Sequence, residues 1–195
     1  MPLGGNGFEK RDGATRVRAW RIGLTLVVLL AALAHLAWEH LHGGIVSHHL
    51  LARPDLPAVW NGWGLVLLPA MAWYVSGRVA QRVGRRVDRR RALRGALTGF
   101  VIAVACGAAL SLAFVSGRED VASAVLLSAL GLGLVLPAYR AECLLGFVLA
   151  MTVVFGAVLP LLVGGIVAML SAFAHLGVYA LARRIWRRSR GPAAA

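Results

Sequence analysis

A chain of 195 residues that is 59% hydrophobic and only 15% charged falls well short of the charged quarter typical of a soluble domain. Its uninterrupted apolar runs of about twenty residues match the length that crosses roughly 30 Å of hydrocarbon. They exclude a single water-exposed core and do not alternate as barrel strands do. The net charge of +13 does not indicate nucleic acid, because 19 of the 21 Lys and Arg residues fall in alternate connections between apolar runs. That is the positive-inside pattern.

The sequence therefore predicts an all-α integral membrane protein, a compact bundle of six transmembrane helices with both termini cytoplasmic. Residues 1–19, with Lys10, Arg11, Arg16 and Arg18, form a basic aperiodic tail. Helix one is expected over 20–42, and residues 43–56 make an outer connection containing Gly43, Gly44, Arg53, Pro54 and Asp55. Helix two covers 57–78, and the arginine-rich loop 78–94 follows. Helix three spans 95–116, the turn at Gly117–Asp120 leads into helix four over 121–139, and Arg140 stands in the next inner connection. Residues 143–182 suit two crossings, broken by Pro160 and the Gly164–Gly165 pair. This gives helices over 143–162 and 165–183, within a membrane domain of 20–183. A second basic tail, 184–195, closes the chain.

Trp20, Trp73, Tyr74, Tyr139, Tyr179 and Trp186 mark the inner interface, and Trp38, Trp60 and Trp63 the outer one. Small residues such as Gly107, Ala108, Gly131, Gly133 and Gly156 would let helices approach closely. The string Gly64–Ala70, with Pro69, resembles Gly133–Ala138, with Pro137, as a faint internal echo. Cys106 and Cys143 have no metal-ligand spacing. The single lysine among so many arginines points to a GC-rich bacterial genome, so the expected location is a bacterial plasma membrane. Its arginine-rich inner face would meet anionic lipid headgroups, and association into oligomers is open.

Five of the six histidines crowd into residues 35–49. At 100° per residue, His35, Glu39 and His42 share one wedge of helix one, while His40 points elsewhere. His35 lies about 22 Å along the helix from Trp20, which places it in the outer leaflet. Ionisable side chains at such depth mark functional sites by default. The diglycine would let Ser47, His48 and His49 fold back over this face, with Asp55 and Asn61 following. Imidazole and carboxylate together suit zinc, copper, iron, nickel or manganese. The expected site is an outward mouth of His35, Glu39, His42, His48 and Asp55, serving transport or metal-dependent chemistry. A proton-relay pair of His35 and Glu39 fits the same spacing.

Three alternatives accompany this reading. Arg21, the apolar stretch 22–31 and Ala32–Ala34 resemble a secretory signal with an A-x-A site. Cleavage after Ala34 would leave an amino-terminal His35, similar to the copper-chelating amino terminus of certain monooxygenases. Second, a serine on helix four (Ser123 or Ser128) and His175 on helix six, within Ala174–Gly177, resemble the rhomboid intramembrane proteases. That resemblance implies a serine nucleophile with His175 as its general base. The family's Gly-x-Ser-Gly and helix-two histidine are absent from this chain. Third, the chain would be a non-catalytic scaffold or assembly factor whose polar mouth docks a partner.

Overall fold

The computed structural model describes residues 5–45, 47–49 and 58–189, with side chains described for 13–45, 47 and 58–189. Among these residues six helices dominate an all-α architecture: α1 (Gly5–Leu41), α2 (Gly64–Gly84), α3 (Arg89–Val115), α4 (Glu119–Val135), α5 (Ala141–Phe155) and α6 (Val158–Ser189). Three of them are long and apolar enough to cross a membrane: α1 over Gly13–Leu41, α3 and α6. A two-stranded antiparallel ribbon, β1 (Ser47–His49) with β2 (Ala58–Trp60), joins α1 to α2 in the register Ser47–Trp60, His48–Val59 and His49–Ala58.

Helix ends follow local chemistry more closely than hydropathy suggests. α1 begins at Gly5 instead of near Trp20, so the basic tail is largely helical. The arginine-rich loop shrinks to residues 85–88, because α2 runs on to Gly84 and α3 starts at Arg89. Asp88 starts α3 by accepting a hydrogen bond from the Arg91 amide at 2.9 Å, which satisfies one of the four orphan N–H groups of a helix start. α3 ends on Gly117, whose φ of 67° lets the Arg118 amide reach Ala113 O and the Gly117 amide reach Phe114 O. This is the Schellman arrangement. α4 stops at Val135 and not at 139, because Leu136 precedes a proline and turns extended (ψ 150°). Pro69 lies inside α2 while Pro137 ends α4, so the echo between the two strings does not extend to structure.

The chain reverses between α5 and α6 at Gly156, with φ 68°, not at Pro160 or the glycine pair. Pro160 is the third residue of α6, where a missing N–H costs nothing. Gly164 is a packing residue: a Cβ there would sit 2.8 Å from Leu144 Cδ1 and 3.0 Å from Phe147 Cδ1.

Two compact units result. The first comprises the chain up to Thr98 with Phe155–Leu159, and the second comprises Gly99–Val154 with the chain from Pro160. In the first, α1 and α2 pack along a seam at heptad spacing, with Val28 and Ala32 of α1 and Leu68, Ala72, Val75 and Val79 of α2 buried. In the second, α5 is the core helix, with Leu145, Phe147, Val148 and Met151 buried. Two glycines seat it against α3. A Cβ on Gly146 would lie 2.6 Å from Phe100 O, and one on Gly107 would lie 2.8 Å from Phe147 O. Each helix thus offers a glycine to the other's backbone, the close approach that small residues permit between membrane helices.

Candidate functional site

The α1 stripe that packs on α2 reads Arg21, Thr25, Val28, Ala32, His35, Glu39 at alternating spacings of four and three. Its middle is apolar and both ends are polar. At one end the Arg21 guanidinium lies 3.9 Å from the centre of the Trp73 ring and donates through Nη2 to Trp73 O at 3.0 Å. Gly77 makes room for it, since a Cβ there would be 2.8 Å from that nitrogen.

At the other end His35, Glu39 and Asn61 form a cluster. The Glu39 side chain is 9% exposed and Asn61 is 7% exposed. The Asn61 amide donates to Glu39 Oε1, so the turn that starts α2 is tied to the end of α1. His35 Nε2 lies 3.2 Å from the same oxygen. It is buried, yet the approach is not aligned for a hydrogen bond. Nitrogen and oxygen are thus close but off the line that a hydrogen bond needs. The β1–β2 ribbon is anchored beside this cluster, because Trp60, paired with Ser47, immediately precedes Asn61.

His42 lies just past the end of α1 and is not gathered into the cluster. Its ring stacks on Trp38 with centroids 3.7 Å apart, and Nδ1 donates to Trp38 O at 2.9 Å. That bond fixes the tautomer and leaves the Nε2 lone pair available. His48 lies on β1, but its side chain is outside the described residues, as is Asp55 altogether. Among the described residues no three His, Cys, Asp or Glu side chains converge as a metal site.

His175 has a different setting. α6 carries a π-helical turn over Phe173–Val178, and three of its side chains reach three successive carbonyls at the end of α4. Ser171 Oγ donates to Leu136 O at 3.3 Å, His175 Nε2 lies 3.2 Å from Val135 O, and Tyr179 Oη donates to Leu134 O at 3.2 Å. The other ring nitrogen of His175 faces Ser171 O at 2.9 Å, and a singly protonated ring donates to one of these two oxygens. Ser171 Oγ also accepts from the Tyr139 amide at 3.3 Å. These contacts gather at carbonyls near a helix terminus, of which Leu136 O also accepts from the Ala138 amide at 2.7 Å.

Ser128 and Ser123 are exposed. Ser128 lines a shallow groove of about 450 Å³ between α3 and α4, with Cys106 and Asp120. Val135, which meets His175, is two turns further along α4, roughly 10 Å from Ser128 along the axis. No serine hydroxyl of α4 is thus placed at the His175 ring.

Sequence reasoning missed the Arg21 clamp and the capping roles of Ser171 and Tyr179. Arg21 was readable in principle, since it continues the heptad stripe of His35 and Glu39. The caps leave no signal in the sequence, because their partners are backbone oxygens. No family model, characterised protein or solved structure matches the chain. Fold and site together define an all-α protein with three helices long and apolar enough to cross a membrane and a His–Glu–Asn cluster closing one helical hairpin.

Proposed function

We propose that this is a multi-pass protein of a bacterial plasma membrane, with six spans, both termini cytoplasmic and the His35–Glu39 end facing outward. There it binds a divalent transition metal for passage or metal-dependent chemistry. The alternation of basic connections supports the orientation, and the arginine-rich connections meet anionic headgroups.

One observation carries the metal reading: the off-axis separation of 3.2 Å between His35 Nε2 and Glu39 Oε1. An ion about 2.1 Å from both atoms subtends an angle of about 100° at that separation, between tetrahedral and octahedral values. It also leaves the carboxylate oxygen about 40° off the imidazole axis, whereas a hydrogen bond places it on the axis. Asn61 donates to that same carboxylate oxygen, as an outer partner orients a ligand. Further ligands would come from the connection after the diglycine, where His48 and Asp55 stand, with His42 nearby. Imidazoles and carboxylate would replace the ion's water, and the carboxylate lowers the charge to be desolvated.

The test is metal content of the purified full chain, before and after His35→Ala combined with Glu39→Gln. The expected result is bound zinc, copper, iron, nickel or manganese in the parent and its loss in the variant. Equal content in both overturns the reading. The hydrolase alternative is less well supported, because the His175 ring lies against the Ser171 and Val135 carbonyls and no α4 serine.

A further inference from the structure

The last eleven residues of α6, Tyr179–Ser189, are not a frayed tail. At 100° per residue, Arg183, Arg184, Arg187 and Arg188 occupy an arc of about 140°. Tyr179, Leu181, Ala182, Ile185 and Trp186 fill the arc opposite. None of these residues is buried: Leu181 and Ile185 are both 59% exposed and Trp186 is 57% exposed. The segment therefore presents, on one regular helix, an exposed and mainly apolar arc that also holds Ser189, and an arc of four arginines that also holds Ala180.

Length says where this segment lies. α6 has 32 residues, about 48 Å at 1.5 Å each, and a hydrocarbon core of about 30 Å consumes about twenty of them. Counted from Val158, the surplus begins near Val178, where the π turn ends. The extra residue in such a turn rotates the surface beyond it by about 100°. Ser171, His175 and Tyr179 pin the helix to the α4 end across the turn, so the amphipathic segment starts from a fixed point.

We propose that Tyr179–Ser189 is a membrane-surface helix that binds anionic phospholipid, its Leu181/Ile185/Trp186 face in the acyl boundary and its four arginines among the headgroup phosphates. Charge selects the occupant: a basic face paired with an apolar face carrying tryptophan is the signature of helices lying in an anionic interface. The inference rests on the chain being membrane-embedded and is independent of the metal site.

The test uses the full chain with Cys106→Ser and Cys143→Ala, reconstituted in bilayers of phosphatidylcholine with or without phosphatidylglycerol. Single spin labels are introduced through Leu181→Cys, Ile185→Cys, Arg184→Cys and Arg188→Cys. A Leu127→Cys label, on a side chain 68% exposed on α4, reports bilayer embedding separately. With phosphatidylglycerol present, labels at 181 and 185 collide with oxygen and are shielded from a water-soluble nickel chelate, while those at 184 and 188 show the reverse. That contrast is lost in pure phosphatidylcholine. Equal nickel access at 185 and 188, contrast indifferent to phosphatidylglycerol, or spin–spin broadening between copies at 185 each overturns the proposal. If the 127 label alone is embedded, the membrane reading stands and the surface helix falls. Brominated phosphatidylglycerol gives a second readout with both cysteines intact: it quenches emission lost in Trp186→Phe, and absence of that quenching also overturns the proposal.

Discussion

Glu39 and Asn61 stand 22 residues apart in sequence and are joined by a hydrogen bond across the α1–α2 seam, which makes the first residue of the turn before α2 a fixed support for a nearly buried carboxylate. Hydrogen bonds to charged groups contribute about 1.5–3 kcal/mol. Asn61→Ala therefore lowers stability by about that amount, read as a fall in the melting temperature of the detergent-solubilised protein. Asn61→Asp destabilises further, because it sets a second carboxylate against the first. Equal melting of Asn61→Ala and the parent would show that the bond contributes nothing.

The two histidines of the α1 end should separate in metal binding. His35→Ala removes the nitrogen 3.2 Å from Glu39 Oε1 and is expected to cut affinity at least tenfold. His42→Ala removes a ring that is stacked on and bonded to Trp38 and not gathered into the cluster, and is expected to leave affinity nearly unchanged. Isothermal titration of each variant with zinc measures both. A larger effect at His42 would move the site out to the mouth of the hairpin.

Glycines that look alike in sequence should respond oppositely. Gly146→Ala places a methyl 2.6 Å from Phe100 O, against backbone that cannot swing aside, and the resulting overpacking costs about 1–3 kcal/mol or more. Gly131 has nothing within 4 Å of its would-be Cβ, so Gly131→Ala gains about 0.5–1 kcal/mol from helix propensity. Thermal melts of the two variants should move in opposite directions.

The serines divide in the same way. Ser171 is fully buried at 0% exposure and bonds to both Leu136 O and the Tyr139 amide. Ser171→Ala removes the side-chain partner of the part-buried Tyr139 amide, while Leu136 O keeps its bond from the Ala138 amide at 2.7 Å, so the expected cost is about 1–3 kcal/mol in all. Exposed Ser128→Ala changes stability by less than about 0.5 kcal/mol. Fluorophosphonate labelling of the parent is expected to be absent, and neither variant is expected to create it. Labelling that disappears in Ser128→Ala would restore the hydrolase alternative.

The presence of six helices was legible because apolar runs and arginine clusters alternate, and those are properties of whole segments. Their ends were less legible. Asp88, an acid just before a helical run, is a cap signal that the arginines around it obscure. Pro137 was read as part of a helix it terminates. The pairing of His35 with Glu39 could be read from spacing along one helix. Asn61 could be named only as available, because its contact depends on the register of two antiparallel helices. His175 was the hardest to place: a lone histidine in an apolar helix looks like chemistry, and its partners are carbonyls with no side chain to betray them.

The seal on α4 has a consequence for synthesis. Ser171 lies 35 residues beyond Leu136, and Tyr179 lies 45 beyond Leu134. At about 5–20 residues per second, a ribosome needs roughly 2–9 s to make the missing stretch. During that interval Leu136 O has only the local Ala138 amide, and Leu134 O still lacks the Tyr179 hydroxyl. A chain truncated before Ser171 keeps the sequences of α4 and α5 yet lacks every side chain that meets Leu134, Val135 and Leu136 O from α6.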